Sequence, residues 1–359
     1  MPLKMQRGWV PQGWVPQGWM DNNFAPVRSN GDRTGSIKVA LINNMPDSAF
    51  EDTGRQFFTL LNAAAGDLQV SLQLFSLPAI NRGGRIQEHF DEHYSNIDDL
   101  FNHGIDGVII TGTEPLQKNL RAESYWPALA DLFDWAERHT TSTVLSCLAA
   151  HAGVLHSDGI ERHALPDKQF GVFEYQNTGD HALIPQVASA VRFPHSRWNE
   201  VRKDALTACG YSLLTHADRD GVDCFIKRKR QSLFVHFQGH PEYDTDTLLK
   251  EYRRDIKRFL RGERAGYPNM PQGYFDDTAT RLLNDFHAHA LLNRCEDVMS
   301  AFPDAQVLGE PCNTWRDSAV SIYRNWLNYL AARATERVVF APVARVEQPL
   351  PASASSEIA

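Results

Sequence analysis

Long apolar runs are missing from this 359-residue chain. With no stretch of about eighteen apolar residues, no membrane-spanning helix is expected and a membrane is not among the expected partners. The N-terminus lacks the apolar core of a secretory signal. Cysteine is sparse: Cys147, Cys209, Cys224, Cys295 and Cys312 stand far apart with no C-x-x-C pair. That excludes a disulfide framework and a structural zinc site, and it suits a reducing cytoplasm. None of the fourteen histidines falls in an H-E-x-x-H pattern, so no metal site is expected. A phosphate-binding G-x-x-x-x-G-K-[ST] loop and a dinucleotide G-x-G-x-x-G fingerprint are both absent, and no bound cofactor is expected. Positive charge is also short. Lys and Arg total 36 against 44 Asp and Glu, a net charge of −8 that argues against nucleic acid as a partner. It leaves room for a local basic pocket.

What is present is an ordinary globular composition, 42% hydrophobic and 22% charged. Gly8-Trp9-Val10-Pro11-Gln12 repeats as Gly13-Trp14-Val15-Pro16-Gln17 before breaking off at Gly18-Trp19-Met20. Proline and glycine in each copy forbid a regular helix, so residues 1–35 read as a disordered leader. A Pro-, Ala- and Ser-rich tail, 336–359, reads as flexible. Residues 36–335 form the expected domain. Ile37 to Ile42 predicts a strand, and Ala49 to Ala64 a helix with Phe57, Leu60, Leu61 and Ala64 on one face. Strands are expected over Leu68–Phe75, Val108–Ile110 and Thr143–Leu145, and helices over Trp126–Arg138 and Thr245–Arg261. Further helices between Asp276 and Ala332 form a helical C-terminal extension anchored by Trp315, Tyr323, Trp326, Leu327 and Leu330. This β-α-β rhythm predicts an α/β fold with a mostly parallel sheet and helices on both faces.

In such sheets chemistry gathers at the carboxyl ends of strands. Cys147 falls there, at a strand-to-helix turn where amides at the helix N-terminus, Leu148 N–H first, can stabilise a thiolate or an oxyanion. A buried structural cysteine is the competing account. The apolar run Leu233–Phe237 leads into Gly239-His240-Pro241-Glu242. A cysteine with a His-x-Glu supplies nucleophile, base and orienting carboxylate, which points to covalent acyl transfer. The same four residues also have the composition of a plain surface turn. His236 reads as a packed strand residue. Lys168 reads locally as a solvated loop lysine. Arg254 is either a helix-surface charge or a clamp for a substrate carboxylate. Pro194-His195-Ser196-Arg197-Trp198 is either a substrate loop or a turn.

The ordered set Ile42-Asn43-Asn44-Met45-Pro46, Gln56-Phe57, Ile110-Thr111-Gly112, Tyr125-Trp126-Pro127, Thr141-Ser142-Thr143, Cys147, Lys168 with Gly171-Val172, Pro194 to Arg197, Gly239 to Tyr243, Arg254-Asp255 and Asn325 to Tyr329 resembles the homoserine O-acyltransferases often called homoserine O-succinyltransferases. The resemblance spans roughly residues 36 to 332. It implies a class I glutamine-amidotransferase-like fold, acyl-CoA as co-substrate with no bound cofactor, homoserine or serine as the other small-molecule substrate, a homodimer, and a place in methionine biosynthesis. It implies Cys147 as the nucleophile, His240 as base, Glu242 as its partner, and Lys168, Ser196 and Arg254 as substrate-binding residues. Leu116 stands where relatives carry glycine or glutamate, a position bearing on the choice between succinyl and acetyl donors, and Glu114 and Gln117 beside it could act in its place. Ser146 and Leu148 replace the glycines that flank the nucleophile in glutamine-hydrolysing relatives. A serine O-acyltransferase and a non-catalytic binding protein on the same scaffold remain open alternatives.

Overall fold

The computed structural model describes residues 3–5, 36–178, 181–184, 189–307 and 313–339. The Gly-Trp-Val-Pro-Gln repeat and Cys312 lie outside them. The strands are β1 (Leu3–Met5), β2 (Ile37–Ile42), β3 (Val70–Phe75), β4 (Gly107–Ile110), β5 (Ser142–Ser146), β6 (His163–Asn177), β7 (Ala190–Glu200), β8 (Ser212–Leu213), β9 (Thr215–Ala217), β10 (Gly221–Val222), β11 (Cys224–Lys229) and β12 (Ser232–Phe237). The helices are α1 (Asp47–Ala65), α2 (Gly84–His93), α3 (Ile97–Asn102), α4 (Trp126–His139), α5 (Leu148–Asp158), α6 (Lys203–Ala208), α7 (Thr247–Leu260), α8 (Asp277–Leu292), α9 (Asp304–Val307) and α10 (Arg316–Val339).

Eight strands form the main sheet in the order β1-β3-β2-β4-β5-β12-β11-β8. The pairings from β1 to β12 are parallel, and β11 and β8 add antiparallel strands at one edge. The central strands are nearly continuous apolar runs because both faces are covered. Along β2, Val39 and Leu41 face one core while Ala40 and Ile42 face the other, the period-two alternation of a pleated strand. Helices α1, α7, α8 and α10 close the first face; α3, α4 and α5 close the second.

Three features depart from the sequence reading. Leu3–Met5 pair in parallel with Val70–Leu72, so the first residues of the expected disordered leader add an edge strand, held by the burial of Leu3. The helix α10 runs to Val339, past the expected start of the flexible tail. A second, antiparallel sheet of order β10-β9-β6-β7 stands beside the parallel one. Its β7 carries Pro194 to Trp198 on a strand rather than in a loop or turn.

The C-terminal helix is structural. Trp326 is fully buried, donates Nε1–H to Ser142 Oγ at 2.9 Å, and lies against Gly107, where a Cβ would sit 2.8 Å from its ring. Trp315 Nε1–H donates to the Tyr243 carbonyl at 2.9 Å, tying the start of α10 to the segment after β12. Trp326→Ala is expected to lose about 3–5 kcal/mol of unfolding free energy, measured as a shift in denaturant midpoint. A loss under about 1 kcal/mol would show the helix to be a peripheral appendage.

Candidate active site

The site begins where β5 and β12 end side by side. Ser146 pairs with Phe237, and the Cys147 N–H donates to the Phe237 carbonyl at 2.8 Å. Cys147 then turns sharply into α5 with φ 52° and ψ −111°, one of two non-glycine residues with positive φ among those described. Such a conformation costs about 1–3 kcal/mol and holds the side chain clear of both strand and helix. Leu148 opens α5, so its N–H has no partner within the helix and remains available at the N-terminus. Gly112, after β4, lies against that amide: a Cβ there would stand 2.7 Å from Leu148 Cβ and 3.0 Å from its nitrogen. Only glycine lets the 111–113 segment come so close.

His240, three residues beyond β12, is buried rather than in a surface turn. Its Nδ1–H donates to Glu242 Oε1 at 2.8 Å, and Ser146 Oγ–H donates to the same oxygen at 3.3 Å. The His240 backbone N–H donates to the Pro194 carbonyl at 2.8 Å, and the ring stacks on Tyr243 at 4.2 Å. With Nδ1 committed to Glu242, Nε2 faces Cys147. Burial alone would push the imidazolium down, but the negative charges of Cys147 and Glu242 outweigh it and hold His240 well above its ordinary value.

The neighbouring histidines behave differently. Burial, with Arg197 nearby, takes His151 down to about 3. Its Nε2 lies 2.9 Å from Gln238 Oε1, and since the Gln238 amide donates to the Val222 carbonyl, His151 must be the donor. Burial also takes His236 to about 3, stacked 4.6 Å from Phe225 as the packed strand residue expected. Burial, again with Arg197, holds His195 well below its ordinary value. Of these four, His240 alone combines a carboxylate partner with access to a sulfur.

Cys147, His240 and Glu242 open into a cleft of about 640 Å³. Its far wall is built from β6, β7 and α7. Lys168 is not a solvated loop residue. It sits where the β6–β7 register breaks between Ala164 and Gln169, its side chain is 11% exposed, and its ammonium lies 4.0 Å from the Phe170 ring centre. Lys168 Nζ is 3.6 Å from Glu251 and 3.4 Å from Asp255. Arg254 makes the same two contacts, at 3.6 and 3.2 Å. Ser196 Oγ–H and Tyr243 O–H each donate to Glu251. Lys168, Ser196 and Arg254 thus come together around two acids, Glu251 and Asp255, one helical turn apart on α7. The loop after β4 brings Glu114 and Pro115 to the cleft, while Leu116 is 85% exposed and stands outside the lining. The Gln117 N–H donates to Glu123 Oε1. Among the described residues, no group of His, Cys, Asp or Glu is arranged to hold a metal ion.

The family model for homoserine O-succinyltransferase matches residues 21–337. The chain is 44% identical over 314 residues to the homoserine O-succinyltransferase of Rhodopseudomonas palustris, covering 87% of this chain and 93% of that protein. It is 43% identical over 298 residues to that of Methylorubrum extorquens, covering 83% and 88%. The chain belongs to the homoserine O-succinyltransferase family. Among solved structures, a glutamine amidotransferase from Methylobacillus flagellatus is 12% identical with a TM-score of 0.45, over 82% of this chain and 94% of that one.

Several site residues of this family member escaped the sequence reading. Glu251 and Asp255 were visible as acids four apart on an expected helix, but charges on such a helix read as its solvated face. Asp223 had no local signal at all. It is fully buried behind His240, accepts the Gly239 N–H at 2.8 Å, and lies 3.4 Å from His195 Nε2. Burial drives Asp223 up to about 7 and His195 down, so below that point the two stand side by side as neutral groups rather than as an ion pair.

Two predictions follow from this geometry. Cys147→Gly should be more stable than Cys147→Ala by about 1 kcal/mol, because glycine relieves the positive-φ turn; equal melting temperatures would mean the turn is unstrained. For Asp223 the folded pKa exceeds the unfolded one, so the folded state binds the extra proton between about pH 4 and 7. Stability conferred by the neutral form is therefore lost as pH rises through that window. Asp223→Asn keeps an acceptor for Gly239 without the buried charge. Its melting temperature relative to wild type should climb from pH 4 to 7 and then level off; a pH-independent difference would show Asp223 to be ionised throughout.

Proposed function

We propose that the protein transfers an acyl group, succinyl in preference to acetyl, from acyl-CoA to the hydroxyl of homoserine through a Cys147 acyl-enzyme. The observation that carries this reading is the half-buried Cys147 beside the buried His240–Glu242 pair, facing a cleft whose far wall mixes Lys168 and Arg254 with Glu251 and Asp255. An amino-acid zwitterion needs both signs of charge at one end, and that wall offers both.

In the first half-reaction the Cys147 thiolate attacks the thioester carbonyl. The oxyanion is held at the Leu148 N–H, where the helix dipole and the closely packed Gly112 segment favour negative charge. The carbon–sulfur bond to CoA breaks, and His240 protonates the departing thiolate. One thioester replaces another, so little driving force is needed and positioning dominates. In the second half-reaction the homoserine hydroxyl attacks the acyl-enzyme while the now neutral His240 takes its proton. The bond to Cys147 breaks, and O-acylhomoserine leaves with the thiolate–imidazolium pair restored. Glu242 holds the ring with Nε2 toward sulfur and stabilises its charge throughout. Arg254 and Lys168 hold the acceptor's carboxylate, with Ser196 orienting it, and these contacts loosen the existing ones to Glu251 and Asp255. The product is an activated ester ready for sulfur incorporation, consistent with methionine biosynthesis. The same reading takes the enzyme as cytoplasmic, which its free Cys147, Cys209, Cys224 and Cys295 suit, and as a homodimer, which rests on the family resemblance alone.

Intact-protein mass spectrometry after brief mixing with succinyl-CoA should show one succinyl increment on wild type and none on Cys147→Ala, with the increment discharged by homoserine. An increment that persists in Cys147→Ala, or turnover of that variant at the wild-type rate, would remove the covalent route.

A further inference from the structure

The cleft is rich in cations, and nearly all of them are already spoken for. Lys168, Lys250, Arg254, Arg258 and Arg264 each have a carboxylate within ion-pair distance. Arg197 has none but is buried, and donates to the carbonyls of Asn199 and Asp220 and to the His195 ring. Arg162 is the exception. It follows α5, is half-buried, and lines the same cleft as Cys147. Among the described residues its recorded hydrogen bond is a long one, from a terminal nitrogen to the Lys118 carbonyl at 3.3 Å, and no carboxylate lies within ion-pair distance. Two acids bear on it from beyond that distance: Glu123 is buried and accepts the Gln117 N–H at 2.6 Å, and Glu161 lies 3.4 Å from Arg121.

A half-buried guanidinium with free N–H groups and no counter-ion is incompletely compensated until an anion arrives. Its position narrows the choice of anion. The acceptor's carboxylate has its own cations on β6 and α7. Arg162 stands on the opposite side, between the α5 loop and the 113–118 segment, near enough to Tyr125, Glu123, Cys147 and Glu161 that each bears electrostatically on it. With the acceptor on the β6 and α7 side, this side of the cleft is left for an acyl group carried on Cys147. A succinyl group ends in a carboxylate two methylenes from the thioester carbon; an acetyl group ends in a methyl.

We infer that Arg162 binds the distal carboxylate of the acyl chain and thereby selects a dicarboxylic acyl-CoA over acetyl-CoA. The assignment rests on the acyl-transfer reading above. It places donor choice on Arg162, since the exposed Leu116 does not reach the cleft.

The test compares acylation of Cys147 by succinyl-CoA and by acetyl-CoA, each without acceptor, in wild type, Arg162→Gln and Arg162→Lys, by rapid-quench intact mass spectrometry. Both donors share the CoA moiety, so their ratio isolates the acyl tail. The ratio of succinyl to acetyl rate constants should fall about 10- to 100-fold in Arg162→Gln, the effect of losing a charge-assisted pair, and less in Arg162→Lys. Equal losses with both donors would overturn the assignment, placing Arg162 with the CoA phosphates, the oxyanion or the fold; an unchanged ratio overturns it as well. Should Arg162→Gln not fold, Arg162→Lys decides on the same criterion. If neither donor loads wild-type Cys147, the acyl-transfer reading itself has failed and the role of Arg162 goes with it.

Discussion

The pairing of β5 with β12 is the constraint on which the site depends. These strands are far apart in sequence and adjacent only in the sheet. Their register puts Ser146 opposite Phe237, so the next residue on one strand and the third on the other emerge at the same end. The Cys147 N–H to Phe237 carbonyl bond closes the ladder at that point and holds the Cys147 backbone in a conformation it would otherwise leave. A one-residue slip would turn every side chain of β12 to the opposite face. Val235 and Phe237, now packed with α1 and α10, would exchange places with Phe234 and His236. The cost of that exchange across both cores is what fixes the distance between sulfur and imidazole.

Charge is placed as narrowly as backbone. Four histidines are buried on the elements that meet at Cys147, and burial alone would keep all of them neutral. Three are neutral, each fitted by packing or a hydrogen bond that asks for no charge. His240 departs because two anionic partners outweigh the desolvation that it shares with the others. The distinction suits the proposed reaction, in which His240 accepts a proton from a hydroxyl and returns it to a thiolate: that needs a stabilised imidazolium, and extra charged imidazoles nearby would oppose it.

The sequence carried β2 to β5 and β12 of the parallel sheet well because these strands are short, largely apolar runs, a pattern set by local residues, whereas β1 had no such signal. Cys147, His240 and Glu242 were legible for the same reason, since each falls at the end of such a run. The antiparallel sheet was not legible. β6 begins His163-Ala164-Leu165-Pro166-Asp167, a stretch with proline and charge that reads as loop, and only pairing with β7 makes it a strand. Lys168 was therefore misplaced in solvent, although its match to a substrate-binding position came from the family resemblance. Asp223 and Arg162 lay further out of reach. Their importance comes from what surrounds them in space, and neither local composition nor periodicity encodes a buried proton or a missing counter-ion.

The two sheets divide the work. The parallel sheet and α5 provide Cys147, His240 and the first-turn amide, all fixed by a doubly covered core that tolerates little change. The antiparallel sheet, α7 and the loops at 113–118 and 159–162 provide the walls. On one wall, Lys168 and Arg254 pair with Glu251 and Asp255 while no ligand is bound, so their charges are compensated and the fold need not carry them unpaired. On the other, no carboxylate among the described residues comes within ion-pair distance of Arg162. The asymmetry fits two ligands of different kinds. A zwitterion can exchange into an existing set of ion pairs at small net change in charge, whereas a single terminal carboxylate is best met by a cation with nothing to give up.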